Sequence, residues 1–391
     1  MKNIFVIIFC LKITFVFSQQ MRIGVLNNLN TKSIGIKSDY GAYNLICDSS
    51  FFSSISRDST IEVRVMNSKI SIDFMGSRYT NISNIFLFPK KKSSSLSLFP
   101  NSFFKSPKYT YKDIIEIKVQ DGFLKFVNVL DMDDYLFGVV EAEGGWGRHL
   151  EYYKVQSLIS RTYALKNKNR HIKEGYHLCD NQHCQVYHNP SIDSSNIKEA
   201  VNYTSGEVLV DTEDNLVTTF FSANCGGQTC DPSYVWNNSV DYLSTFKDTF
   251  CYNTKQSNWI KRISKKRWSS FLSHRYGVLE EDYGDLIYNY TQIDRKAFYI
   301  HPSLGIPLRD LRKEFKLKST FFSSRIDGND VLLIGHGFGH GVGLCQEGAM
   351  EMADLGYTYK QIASYYYSGV RIINVLKIDY LKQENEMKLS D

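Results

Sequence analysis

Short segments in which apolar and polar residues alternate fill the chain from residue 19 to residue 130. Alternation with a period of two places the apolar side chains on one face, so each segment predicts a half-buried β-strand. Clusters of Asn, Asp, Gly and Ser separate the segments and predict turns. The polar run Lys90–Ser97 (KKKSSSLS) predicts a solvated loop. The predicted strands are Arg22–Leu26, Thr60–Val65, Lys69–Phe74, Ile82–Phe88, Ile114–Val119 and Leu124–Leu130.

The pattern changes to helical spacing after Asp131. Between Val155 and Thr162, apolar residues recur at i, i+3, i+4 and i+7, which predicts a helix with a core-facing stripe. Gln156 and Tyr163 lie on a second, polar face of the same helix. From residue type alone, we expect such a face to point toward solvent.

The rest of the chain mixes both patterns. Glu207–Ala223 is rich in Val, Thr and Phe and predicts extended structure, whereas a helix is expected from Glu347 and another over Tyr359–Tyr366. We therefore predict an α+β protein, with a β-rich region at 19–130, a mixed α/β region at 131–375 and a polar tail at 376–391.

The first residues have the form of a secretory signal. Lys2 supplies the positive charge, Ile4–Phe9 and Ile13–Phe17 supply the apolar region, and Ser18 precedes the expected cut at Gln19. A signal peptide over residues 1–18 predicts export to a periplasm or cell-wall compartment, with no membrane span in the mature chain. A retained N-terminal anchor is the alternative.

Composition and charge exclude some classes of protein. The 391 residues are 43% hydrophobic and 22% charged, which is ordinary for a globular protein. The formal net charge of +5 includes two lysines of the leader, and the remainder is too small to indicate nucleic-acid binding. A mildly cationic surface suits an anionic polymer such as a cell wall.

One acidic residue stands out for chemistry. Glu143 follows an apolar stretch and directly precedes Gly144-Gly145-Trp146. A carboxyl group at the border between a buried segment and a flexible turn is expected to have a raised pKa, as a general acid near neutral pH requires. Glu141 lies two residues earlier, and in a strand both side chains would share one face.

Cysteine and histidine residues cluster in HLCDNQHCQVYH, residues 177–188. Cys179, His183 and Cys184 predict a tetrahedral zinc site whose fourth ligand is His171 or His177. His177 lies so close to Cys179 that both bind only if the chain turns sharply, so His171 has the freer reach. The alternative is a Cys179–Cys184 disulfide, which an oxidising compartment favours.

Four further cysteines admit several arrangements. Cys230 and Cys251 are placed to close a disulfide loop of about twenty residues. Cys225 and Cys345 each lie in a Gly-rich segment, and the sequence leaves open whether they pair or stay as buried thiols. Cys47 completes the seven cysteines that follow the leader, and an odd number implies a free thiol or a metal site.

Two Gly-rich segments predict close approach of backbone to a ligand. The first is FFSANCGGQT, Phe220–Thr229, and a tight turn between strands is the alternative. The second is GHGFGHGVGLCQEGAMEMA, Gly335–Ala353, in which alternating glycines exclude a helix. An extended loop would instead bring His340 and Gln346 to a cleft.

These segments, in this order, resemble the stage II sporulation protein D family (SpoIID/LytB). In that family a Glu after a Gly-Val-Val stretch is the catalytic acid, and Glu143 occupies this position. The helix sequence VQSLISRTY also resembles a family pattern. Gly144-Gly145 departs from the Met-Pro of better-known members, so the choice of Glu143 over Glu141 rests on the resemblance. The resemblance implies a central glycan-binding groove lined by Gln156, Arg161, Tyr163, Ser222, Asn224, Gly226, Gly227, Thr229, His340 and Gln346.

The resemblance also implies an activity. It implies a peptidoglycan lytic transglycosylase that acts on glycan strands stripped of stem peptides, with an amidase as upstream partner and His171 as the preferred zinc ligand. The competing class is a non-catalytic glycan-binding protein or amidase enhancer. A zinc hydrolase is less favoured, because four protein ligands would close the metal to water.

Overall fold

The computed structural model describes residues 20–57, 59–100, 108–189 and 195–378. The chain divides into two units, Met1–Tyr135 and Leu136–Asp391. The predicted signal peptide lies outside the described residues, as does the predicted tail beyond Ile378. The α+β class is confirmed, with a strand-rich first unit and mixed helices and strands in the second.

Two antiparallel sheets make up the first unit. The strands are β1 (Gln20–Val25), β2 (Ser33–Tyr40), β3 (Tyr43–Cys47), β4 (Ser50–Ile55), β5 (Thr60–Met66), β6 (Lys69–Phe74), β7 (Ser77–Ile82), β8 (Asn84–Pro89), β9 (Ser95–Pro100), β10 (Tyr109–Lys112), β11 (Ile114–Gln120) and β12 (Phe123–Asp131). One sheet has the strand order β1-β12-β11-β8-β3-β4 and the other β10-β9-β2-β5-β6-β7.

The six predicted strands are all present, and the turn chemistry explains their register. Asp121 and Gly122 both have positive φ, so they form the tight turn that aligns Gln120 with Phe123 in the β11–β12 hairpin. The predicted loop Lys90–Ser97 was partly wrong. Its last residues belong to β9, and Ser97 is buried although it is polar.

The second unit carries the remaining helices and short strands. The helices are α1 (Met132–Gly144, which begins in the first unit), α2 (Leu150–Lys166), α3 (Ser195–Tyr203), α4 (Ser233–Trp236), α5 (Lys265–Tyr276), α6 (Glu280–Tyr283), α7 (Leu308–Glu314), α8 (Gln346–Asp354) and α9 (Tyr359–Tyr366). The strands are β13 (Leu178–Cys179), β14 (Glu207–Val210), β15 (Phe221–Ser222), β16 (Asn258–Ser264), β17 (Phe322–Asp327), β18 (Asp330–His336), β19 (Leu344–Cys345) and β20 (Arg371–Asn374).

Helix α2 lies inside the second unit. Every residue from Tyr152 to Ala164 is buried, so the polar face predicted to point toward solvent points inward instead. The side chains of Gln156, Ser157 and Thr162 are hydrogen-bonded, and Arg161 donates through both terminal nitrogens, which is what allows these polar groups to be buried. The extended segment Glu207–Ala223 was also only partly right, because strand structure is confined to β14 and β15.

A hydrophobic cluster rich in aromatic residues lies in this unit. The sheet β16-β18-β17 packs its buried face against α5 and α7, with Trp268 stacked on Phe315 at a centroid distance of 4.9 Å. Across the described ranges, we find no helix whose length and apolar character would let it span a membrane.

Candidate functional site

Glu143 lies in the last turn of α1, and the glycines that follow it end the helix. Gly145 follows with φ +68°, a left-handed conformation that glycine adopts without strain, and its amide donates to the Glu141 carbonyl. The hydroxyl of Tyr153 donates to the Gly145 carbonyl at 2.9 Å and fixes the turn. The Gly-Gly sequence after Glu143 is therefore a helix C-cap.

The carboxyl group of Glu143 is partly buried and has one defined partner. Its Oε1 accepts a hydrogen bond from the Val186 amide at 2.9 Å. Burial raises the pKa of Glu143, and the Val186 hydrogen bond opposes this shift in part. The negative end of the α1 dipole also disfavours the carboxylate here. The group is thus held toward the protonated form that a general acid requires.

The helical backbone separates the two neighbouring acidic residues. Residues two apart on a helix project about 200° apart, so Glu141 and Glu143 point in different directions. Glu141 is 4% exposed, whereas Glu143 is more accessible. Because α1 is a helix, the two carboxyl groups do not share one face as they would in a strand.

Two of the predicted site residues, Gln346 and Gln156, meet next to the Glu143 backbone. The Nε2 of Gln346 donates to the backbone carbonyl of Glu143 at 3.1 Å and to Oε1 of Gln156 at 3.3 Å. Gln156 is completely buried and also bonds to Ser160. The hydroxyl of Tyr152, four residues before Gln156, reaches the same Oε1 at 3.4 Å. Tyr152 was not predicted, although its spacing from Gln156 was a usable signal.

The other two predicted residues of α2 have different partners. Arg161 is 1% exposed, and its guanidinium donates to the carbonyls of Thr204, Val201 and Glu207 at 2.7, 3.3 and 3.3 Å. These carbonyls lie at the end of α3 and the start of β14, so Arg161 stabilises the connection between α3 and β14. Tyr163 accepts a hydrogen bond from Arg170 at 2.7 Å, and burial raises its pKa.

The two Gly-rich segments meet each other. Asn224 and Phe338 exchange two backbone hydrogen bonds, and β15 pairs with β19 in parallel. The Ser222 hydroxyl accepts from the Gly341 amide at 3.2 Å. Buried Asn224 donates to Glu347 at 2.8 Å, which links this loop to α8 directly after Gln346.

Gly226 and Gly227 line a cavity of about 500 Å³. Both have positive φ, and a side chain at Gly226 would collide with the backbone of His336. The cavity also presents polar groups from Tyr252, Asn258 and Asp294. Close approach of backbone to a cavity is what the glycines permit here.

His340 and Thr229 lie in other surroundings. His340 lines a cavity of about 320 Å³ whose cationic residues are Arg309, Arg312, Lys313 and Lys316. Burial of the ring and the charges of Arg312 and Arg295 lower the pKa of His340 to about 3, so the ring is neutral at physiological pH. The Thr229 hydroxyl donates to the Ser244 carbonyl at 2.9 Å. That all the predicted residues line one groove with Glu143 stays a prediction.

The structure brings together the four predicted metal ligands. The ligand atoms of His171, Cys179, His183 and Cys184 all lie within 4.8 Å of one another. The Sγ of Cys184 is 3.5 Å from Nε2 of His171 and 3.7 Å from Nδ1 of His183. Both cysteines are free thiols. Two sulfurs and two imidazoles form a donor set that suits a tetrahedral soft metal ion.

Neighbouring charged side chains contact these residues and orient them. The Nδ1 of His171 lies 2.7 Å from a carboxylate oxygen of Glu174, which leaves Nε2 with its lone pair directed toward Cys184. Arg170 donates to the His183 carbonyl at 3.0 Å. Carboxylate contacts of this kind fix histidine orientation in metal sites, so the arrangement is one that could hold a metal ion.

The predicted Cys230–Cys251 loop is wrong, because the two cysteines are free and lie in different contacts. Cys251 lies 3.5 Å from Cys225, sulfur to sulfur, whereas the Cys230 thiol contacts the Asp231 carbonyl. The sequence spacing permitted a loop, but the chain between them turns Cys251 toward the Gly-rich segments. Cys225 and Cys345 are both fully buried thiols.

Comparison with known proteins identifies relatives. The family model "Stage II sporulation protein" (SpoIID) matches residues 120–210, which include Glu143 and the four predicted metal ligands. An uncharacterized protein of Brachyspira hyodysenteriae is 29% identical over 296 residues, covering 69% of this chain and 79% of the relative.

Two Bacillus subtilis proteins are also similar. The stage II sporulation protein D is 27% identical over 268 residues, covering 63% of this chain and 75% of that protein. The amidase enhancer is 27% identical over 292 residues, covering 61% of this chain and 40% of that protein. These matches confirm the resemblance on which the choice of Glu143 rests.

Proposed function

We propose that this chain, a protein of the stage II sporulation protein D family, is an exported lytic transglycosylase of peptidoglycan. It would cleave the bond between N-acetylmuramic acid and N-acetylglucosamine in strands stripped of stem peptides, with Glu143 as the catalytic group. The observation that carries the proposal is the partly buried Glu143 carboxyl, whose pKa is raised by burial.

One carboxyl group suffices for this reaction. Protonated Glu143 gives its proton to the glycosidic oxygen as the bond from C1 to that oxygen breaks. The resulting carboxylate then takes the proton of the sugar's own 6-hydroxyl as O6 bonds to C1. The products are a free 4-hydroxyl and a 1,6-anhydro-muramic end, and Glu143 returns to its acid form. A hydrolase would need a second carboxylate to activate water or act as nucleophile.

The hydrogen bonds behind Glu143 support this role. The side-chain amide of Gln346 donates hydrogen bonds to the Glu143 backbone carbonyl and to Oε1 of Gln156. Neither amide donates to the carboxyl in these contacts, so its proton stays available for transfer. The Val186 amide fixes one oxygen and leaves the other for substrate. General acids depend on this kind of positioning as much as on their pKa.

A zinc ion at His171, Cys179, His183 and Cys184 would be structural in this proposal. Four protein ligands leave no open position for water or substrate, so zinc would contribute folding free energy. Val186, which binds Glu143, lies two residues after Cys184. The ion would therefore fix the segment that positions the acid.

The test compares two isosteric variants on peptide-free glycan strands. Glu143→Gln should retain glycan binding and abolish turnover, because an amide neither donates nor accepts the required proton. Glu141→Gln is the matched control and should retain release of anhydro-ended products, measured by mass spectrometry. Anhydro products from Glu143→Gln, or their loss only in Glu141→Gln, would contradict the assignment.

The second candidate function is an amidase enhancer without catalytic turnover. It is favoured by the similarity to the Bacillus subtilis protein of that name. In that case glycan binding and stimulation of a cell-wall amidase would persist in Glu143→Gln, and the wild-type chain would release no anhydro ends. The same two variants therefore discriminate the two functions.

A further inference from the structure

A second group of potential metal ligands lies inside the Leu136–Asp391 unit. Cys225, Asp248, Cys251 and Cys345 each have no measurable solvent exposure. Their ligand atoms all lie within 4.8 Å of one another. They are separate from the His171 group, with which they share no residue, and the catalytic proposal does not use them.

The spacing of these atoms matches a tetrahedral site. With zinc–sulfur bonds of about 2.3 Å, two sulfurs of a tetrahedron lie about 3.8 Å apart. The Cys225 and Cys251 sulfurs are 3.5 Å apart, and the Asp248 Oδ2 is 3.2 Å from the Cys225 sulfur. Small adjustments of side-chain torsions are enough to place four ligands around one ion.

Backbone amides are directed at the sulfurs. The Cys225 and Gly348 amides donate to the Cys345 sulfur at 3.2 and 3.4 Å, and the Gly227 amide donates to the Cys251 sulfur at 3.3 Å. A neutral thiol is a weak acceptor, whereas a metal-bound thiolate is stabilised by such bonds. Cys345 is also the N-cap of α8, where the helix dipole favours a negative sulfur.

The surroundings of the Asp248 carboxyl group also favour a bound metal ion. Its donors in the described part of the chain are neutral: the Tyr366 hydroxyl at 2.9 Å, the Phe250 amide at 3.1 Å and the Cys225 thiol. A carboxylate buried without a cationic partner is costly, and coordination to a metal ion gives the Asp248 oxygen such a partner.

We propose that Cys225, Asp248, Cys251 and Cys345 bind a second, structural zinc ion. Binding releases the three thiol protons and forms three zinc–sulfur bonds and one zinc–oxygen bond. The ion joins the Asn224–Gly227 loop to the start of α8. Because Gln346 follows Cys345 directly, the ion also fixes the residue that bonds to the Glu143 carbonyl.

The test measures zinc and cobalt content in the full chain purified under reducing conditions. Cys179→Ser combined with Cys184→Ser removes the His171 group's thiolates and should leave about one bound zinc per chain. Adding Cys225→Ser and Cys251→Ser should remove it. Cys230→Ser, another buried cysteine outside both groups, is the matched control and should retain the zinc.

Spectroscopy distinguishes the two groups. Cobalt in the Cys179→Ser, Cys184→Ser background should give a sulfur-to-cobalt charge-transfer band of three thiolates, whereas the His171 group would supply two. If the fourfold variant does not fold, Asp248→Asn in the same background keeps the thiols and should weaken zinc binding at least about tenfold. A folded Cys179→Ser, Cys184→Ser chain that binds neither metal, or a Cys225–Cys251 disulfide found by mass spectrometry in chain purified without reductant, would overturn the proposal.

Discussion

Replacement of Arg161 by methionine should unfold the Leu136–Asp391 unit at a much lower temperature without acting on substrate binding. The guanidinium is buried and donates to three backbone carbonyls, one at 2.7 Å and two at 3.3 Å. Methionine fills much of the same volume but donates nothing, so these carbonyls lose a charged partner inside the protein.

The magnitude follows from the contacts. Hydrogen bonds to charged groups contribute about 1.5–3 kcal/mol each, and the lower value applies because two of the three are long. The Thr204 carbonyl also keeps the Glu207 amide as a donor. The expected loss is about 4 kcal/mol, which corresponds to a fall in Tm on the order of 10 °C for a unit of this size.

The assay is thermal unfolding followed by circular dichroism, with turnover measured well below the transition. Arg262→Met is the matched control, because Arg262 belongs to the same unit but forms an exposed ion pair with Asp327. It should shift Tm far less, since exposed pairs contribute little. A loss below about 1 kcal/mol for Arg161→Met, together with a raised KM, would refute the structural role and favour substrate contact.

Three further changes have defined outcomes. Burial raises the pKa of Glu143. As pH rises from the unfolded carboxyl pKa of about 4.3 through the raised value, turnover should therefore fall and the free energy of unfolding should decrease. A rate that climbs above neutrality would point to another catalyst. Chelation, or Cys179→Ser, should lower the Tm measured by calorimetry, because the free energy of zinc binding adds to the free energy of folding. An unchanged Tm, together with no zinc in metal analysis, would disprove the site. Gly343→Ala should lower the free energy of unfolding in urea by about 3 kcal/mol or more, since φ is +71° and the new Cβ would lie 2.0 Å from the Phe220 carbonyl oxygen. Gly369→Ala is the control: its φ is +68° but its environment is open, so it should lower the free energy of unfolding by about 1 kcal/mol. Equal losses for the two variants would contradict the clash.

One strand that the sequence did not predict, β7, lacks the pattern on which such predictions depend. β7 (SRYTNI) is exposed except at its last residue, so no buried face marks it. In β9, Ser97 is buried through hydrogen bonds to Thr110 and Asp39 rather than through apolar packing. Hydropathy carries no signal for a serine whose partners lie on other strands. Where apolar alternation is strong, as in β6 and β12, prediction and structure agree.

The same reasoning separates the site residues that could be predicted from those that could not. Glu143 and Gln346 were found through motif resemblance, and the alternating glycines correctly excluded a helix before α8. The inward orientation of Gln156 could not be predicted, because its burial depends on an acceptor and donor from distant segments. The grouping of Cys225 with Cys251 likewise depends on tertiary contacts.

The hydrogen bond between Gln346 and Glu143 forms late in synthesis of the chain. The two residues are 203 positions apart, so a ribosome must synthesise most of the chain before the acid acquires its support. Contacts of such long sequence separation form late in folding. A nascent or C-terminally truncated chain therefore carries Glu143 on α1 without the amide behind it. If Glu143 is the catalytic group proposed above, lytic competence depends on completion of the polypeptide.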